Sequence, residues 1–115
     1  MHEVVPTYEE LEQEFGDDGE KLINEHEKLI EQILEEEEEL INRHRGHIDD
    51  IVDLVKQEMT LLNEVDKPGS DVDEYVGSLD RILMSKVQMI LEMRAQLLEF
   101  HKHIKTEECM SKLYQ

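Results

Sequence analysis

Apolar residues recur every three or four positions along most of this chain, which is the period of an amphipathic helix. From about Glu20 to Glu64 one stripe reads Ile23, Glu27, Ile30, Leu34, Glu37, Ile41, His44, Ile48, Ile51, Val55, Glu58 and Leu62, with eight of twelve apolar. A neighbouring stripe carries Leu22, Leu29, Ile33, Leu40, Val52, Leu54, Met59 and Leu61. From about Val72 to Thr106 the pattern resumes as Val76, Leu79, Leu83, Lys86, Ile90, Met93, Leu97, Phe100 and Ile104, flanked by Tyr75, Ile82, Val87, Leu91 and Leu98. The pattern predicts two long helices. Each apolar face is wider than a strict two-stranded seam, which suits a bundle with more than one neighbour.

The periodicity breaks once, at Val65-Asp66-Lys67-Pro68-Gly69-Ser70-Asp71. Pro68 has no backbone donor and drives Lys67 out of the helical region. Gly69 supplies the positive φ of a type II turn with Pro68 at its first corner. Asp71 with Glu74, or Ser70 with Asp73, offers the N-cap of the next helix. So short a link returns the second helix along the first. The fold class expected is all-α: an antiparallel helical hairpin over 20–115 with its turn at 65–71. Residues 1–19 form a separate preface, a short helix from Tyr8 to Phe15 opened by a Thr7/Glu10 capping box, then a Gly16–Gly19 linker.

One hairpin cannot bury two faces this wide. The expectation is a homodimer closing a four-helix bundle or coiled coil. Its core and interface positions are Ile30, Leu34, Ile41, Ile48, Ile51, Val55 and Leu62 on the first helix. On the second they are Val76, Leu79, Leu83, Ile90, Leu97 and Phe100. Methionine also fills irregular gaps in such cores readily.

Composition sharpens this picture. The chain has 115 residues, two prolines, no tryptophan and a net charge of −18. Residues 1–66 hold 22 acidic and 5 basic side chains, and residues 67–115 hold 8 and 7. So acidic a surface disfavours nucleic acid and anionic membranes and attracts basic protein at long range. The run Glu35, Glu36, Glu37, Glu38 and Glu39 exceeds one helical turn, so Glu36 and Glu37 must turn toward the seam. Like charges there are expected to loosen the segment, and the run is a candidate docking strip for a basic partner. The single cysteine, Cys109, cannot close an internal disulfide, which points to a reducing compartment. No secretory leader or membrane span is expected, so the location read is cytoplasmic.

No catalytic constellation emerges. There is no GxxxxGK[ST] phosphate loop. No Glu stands three residues before any histidine, as a di-iron bundle requires. His44, His47 and Asp50 share a helical face and form a weak zinc candidate, with a surface polar cluster as the plainer reading. His44 also falls on the first stripe, where a buried histidine is expected. No cofactor is expected. Gly46 stands mid-helix, at a bend or a close approach.

Several segments resemble the tails of kinesin-13 motors. They are Glu36–Arg45, Ile48-Asp49-Asp50, Val55–Leu62, the turn Val65-Asp66-Lys67-Pro68-Gly69-Ser70, and Tyr75-Val76, Leu79, Ile82-Leu83 and Lys86. Leu97, Phe100 and Glu107–Ser111 continue the pattern. The resemblance implies a C-terminal non-motor segment of a microtubule-depolymerising, internal-motor kinesin, with the ATPase absent from this chain. It implies dimerisation, contact with a kinesin motor domain or an adaptor, and indirect association with microtubules. The implied setting is the cytoskeleton, at spindle, centrosome or cilium. This chain ends Lys112-Leu113-Tyr114-Gln115, without the basic terminus of some family tails. The rival readings are a purely structural dimerisation module and a free-standing acidic helical adaptor for a basic partner.

Overall fold

The computed structural model describes residues 18–114. The expected helix Tyr8–Phe15, with Thr7 and Glu10, lies outside them. Two α-helices follow: α1, Asp18–Val65, and α2, Val72–Ser111, closed by a short 3-10 turn at Lys112–Tyr114. They pack as a hairpin, and no strand occurs among the described residues. α1 starts two residues earlier than the pattern suggests. α2 runs five residues past Thr106, because its last turns carry Glu107 and Ser111 to side-chain partners on α1.

The link forms as its residues dictate. The Ser70 amide donates to the Lys67 carbonyl at 3.2 Å, and Gly69 has φ of 80°. That is a type II turn with Pro68 and Gly69 at its corners. The Ser70 hydroxyl donates to the Val65 carbonyl at 2.8 Å, satisfying one orphan carbonyl at the end of α1. Of the two possible N-caps the structure uses Asp71, whose Oδ1 accepts from the Glu74 amide at 3.2 Å.

By backbone proximity the chain divides into two units. The turn unit is Leu40–Gln96; the terminal unit joins α1 up to Glu39 with the chain from Leu97 onward. In the turn unit the seam between the helices runs Leu40, His47, Leu54 and Leu61, every seventh residue, with Ile51 and Glu58 between them. Opposite stand Tyr75, Leu79, Ile82, Lys86, Met89, Met93 and Gln96. In the terminal unit the half-buried or buried positions include Leu22, His26, Leu29, Ile33 and Glu36, with Phe100, His103, Ile104, Glu107, Met110 and Leu113.

The seam is the stripe through Leu22, Leu29, Ile33, Leu40, Leu54 and Leu61, not the one through Ile30, Leu34, Ile41, Ile48, Val55 and Leu62. The seam is thin as well. Its best-buried apolar residues in the turn unit, Leu40, Leu54 and Ile82, still show 7–9% exposure.

Gly46 meets no close neighbour. The helix runs through it, and a Cβ built there would have nothing within 4 Å.

Candidate interaction surfaces

Four polar side chains interrupt the seam of α1, and three of them, His26, Glu36 and Glu58, are answered from α2. In the turn unit the Lys86 ammonium donates to Glu58 Oε2 at 2.6 Å, both side chains being about one-fifth exposed. In the terminal unit His103 Nδ1 lies 2.7 Å from Glu36 Oε2, and its Nε2 lies 3.2 Å from Glu99 Oε1. Nearer the end of that unit, His26 Nε2 lies 3.4 Å from both Glu107 Oε1 and Ser111 Oγ. The Ser111 hydroxyl donates to the same Glu107 oxygen. A heptad seam can slip by seven residues with little loss of apolar contact. Polar pairs inside it make the wrong registers costly.

The Ser111–His26–Glu107 group has the residue types of a hydrolytic triad without its geometry. A triad needs serine on one imidazole nitrogen and the carboxylate on the other. Here both oxygens meet the same nitrogen, so no proton relay is built.

The five glutamates resolve differently from expectation. Glu36 faces the seam but meets His103 rather than another acid, so that position is pinned, not loosened. Glu37 turns outward and is exposed, as are Glu35, Glu38 and Glu39. His44 is exposed rather than buried on a seam, and His47 takes the seam position. Among the described residues no group of three potential ligands could hold a metal ion. At the turn, Asp66, Pro68 and Gly69 are exposed and Ser70 is half-buried.

The residues read as interface divide cleanly. Ile51, Leu79 and Phe100 are half-buried within the hairpin. Ile30, Leu34, Ile41, Ile48, Val55, Leu62, Val76, Leu83, Ile90 and Leu97 are exposed, from 38% at Ile30 to 61% at Leu34. Single exposed apolar residues are ordinary on a protein surface, but a contiguous set is not.

In the turn unit these residues share one side of the helix pair. Each step along an α-helix turns about 100°. Ile41, Ile48, Val55 and Leu62 each follow a seam residue of α1 by one position; Val76, Leu83 and Ile90 do the same on α2. In an antiparallel pair, equal rotation from the seam brings both helices' residues to the same side. The positions one before the seam are Gly46, Asp53 and Thr60 on α1, and Glu74, Arg81 and Gln88 on α2. They line the other side, and none is a large apolar residue.

The shallow concavities of this unit open on that polar side. One is lined by Arg43, Gly46, His47, Asp50, Met89, Glu92 and Met93. A second is lined by Gln57, Leu61, Ser78, Arg81, Ile82 and Ser85. The third lies at the turn, between Glu64, Ser70, Glu74 and Tyr75. None gathers the convergent nucleophile, base and oxyanion donors that chemistry on a bound substrate requires.

The turn unit of the hairpin therefore presents two unlike sides, one lined by exposed apolar residues and one polar. Comparison with known proteins places the chain more narrowly. The chain is 38% identical over 61 residues to the kinesin-like protein KIN-13A of Oryza sativa subsp. japonica, covering 53% of this chain and 7% of that protein. It is 39% identical over 57 residues to the kinesin-like protein KIN-13B of Arabidopsis thaliana, covering 50% of this chain and 8% of that protein. About half of the chain is thus related to kinesin-13 proteins, while the matched segments span less than a tenth of those relatives. No family model and no solved structure matches.

Proposed function

We propose that this chain is a non-catalytic dimerisation and regulatory tail segment of a microtubule-depolymerising kinesin of the kinesin-13 type. It binds a second copy of itself and presents an acidic surface to a basic partner, the motor domain or an adaptor. Microtubules are reached indirectly, through the motor, which places the chain at the cytoskeleton. The observation that carries this reading is the relation to kinesin-13 proteins across half of a chain whose described residues are helical except at the turn. The two-sided hairpin supports the self-association half. The exposed Glu35, Glu37, Glu38 and Glu39 support the docking half, since like-signed strips steer and orient oppositely charged partners. Among the described residues no helix is long and apolar enough to cross a membrane.

The test adds purified chain to an active kinesin-13 motor domain at low salt. Microtubule depolymerisation rate and motor affinity are followed as ionic strength rises. The expected result is a salt-sensitive change in both. An unchanged rate together with no measurable binding would refute the regulatory role.

A further inference from the structure

Self-association needs a surface, and the geometry of the turn unit points to one. We infer that a second copy of this chain seats on the apolar side of the turn unit, centred on Ile48 and Val55 of α1 with Leu83 and Ile90 of α2, and that the polar side stays open. This rests on the self-association proposed above and adds the site to it.

Two arguments choose the occupant. The first is apolar exposure. Ile48 at 50%, Val55 at 40%, Leu83 at 45% and Ile90 at 51% exposure stand together on one side of the turn unit, and a contiguous apolar set of this kind is what a protein interface covers. The second argument is charge. Two chains of net charge −18 repel each other along most approaches. On α1 between Leu40 and Leu62, the stripe one step past the seam is Ile41, Ile48, Val55 and Leu62, with no acid in it. On α2 its counterpart is Val76, Leu83 and Ile90, again with none, and the two charges that border it, Asp80 and Arg94 one step past Leu79 and Met93, are of opposite sign. The opposite side carries Asp50, Asp53, Glu64, Glu74 and Glu92. A copy can therefore approach on the apolar side without setting carboxylates against carboxylates. A two-fold axis gives each chain the same patch to offer, so the contact closes on itself and stops at two.

The experiment compares matched lysine substitutions on the two sides of the full chain by light scattering and sedimentation across a concentration series. Ile48→Lys with Ile90→Lys alters the pairing side, and Thr60→Lys with Gln88→Lys adds the same charge to the polar side. Ile48 and Ile90 are exposed in the hairpin, so helicity by circular dichroism should survive. The pairing-side variant is expected to weaken dimerisation by at least about 100-fold, as loss of central apolar anchors does, while the polar-side variant stays within a few-fold of wild type. The milder pair Ile48→Ala and Ile90→Ala should weaken it by about tenfold, and decides the matter if the lysine pair loses helix. A wild-type dimer indifferent to Ile48 and Ile90 substitutions, or equally sensitive on both sides, overturns this placement but leaves self-association standing. A wild type that stays monomeric at every concentration overturns both.

Discussion

The Glu58–Lys86 pair offers the sharpest check on the register of the hairpin. Its nitrogen–oxygen separation is 2.6 Å, and the two side chains are only 20% and 23% exposed. An exposed pair would contribute at most about 1 kcal/mol, and a fully buried one would cost about 3–5 kcal/mol on losing a single partner. With a fifth of each side chain still in water, a value between these limits follows. Lys86→Leu or Glu58→Leu alone should destabilise by about 1.5–2 kcal/mol, because each leaves one charge without its partner in a mostly apolar seam. The double substitution should recover most of that loss, since two leucines complete the apolar seam. The coupling energy from the four-protein cycle should then be about 3 kcal/mol in magnitude. Urea denaturation at one fixed protein concentration supplies the four stabilities, with the fixed concentration removing any contribution from self-association. Coupling below about 0.3 kcal/mol would mean that Glu58 and Lys86 do not meet, and the register drawn from them would be wrong.

Other expectations follow from single positions. Gly46→Ala should raise stability by about 1 kcal/mol, because α1 is continuous there and the added methyl meets nothing; a loss on thermal melting would contradict that open space. Gly69→Ala should cost about 1 kcal/mol in the same assay through the positive φ it must keep, and a neutral result would remove the type II turn. Gln96 holds a buried side-chain oxygen without a hydrogen-bond partner. Replacing it by leucine should add about 1 kcal/mol in urea denaturation, and destabilisation would show that this oxygen is satisfied in solution.

Much of the fold was legible because it depends on short-range chemistry. Pro68, Gly69 and Asp71 specify the turn through their own backbone constraints, and those constraints act wherever the residues stand. The length and type of both helices follow from periodicity over dozens of residues. The candidate surface was legible in part. Ile41, Ile48, Val55 and Leu62 were visible as an apolar stripe and read as core and interface positions, but periodicity alone did not show that they face out of the hairpin. The true seam looked weaker in sequence because it contains His26, Glu36, His47 and Glu58. The compensating partners of His26, Glu36 and Glu58, which are Glu107, His103 and Lys86, lie 81, 67 and 28 residues away, and no local rule connects such positions. Similarly, Glu36 and Glu37 looked equivalent by spacing, yet only Glu36 finds a basic partner on α2.

The amino-acid order alone determined that there are two helices, where they turn back, and that each carries more apolar surface than one neighbour covers. Those properties are set by dihedral preferences and by residue spacing on one element, which operate before the helices meet. Only the packed hairpin decided which of two adjacent stripes turns inward and which is left outside. That choice differs by one step of about 100° around each helix. It depends on pairing charged side chains that come together only when α1 and α2 lie side by side.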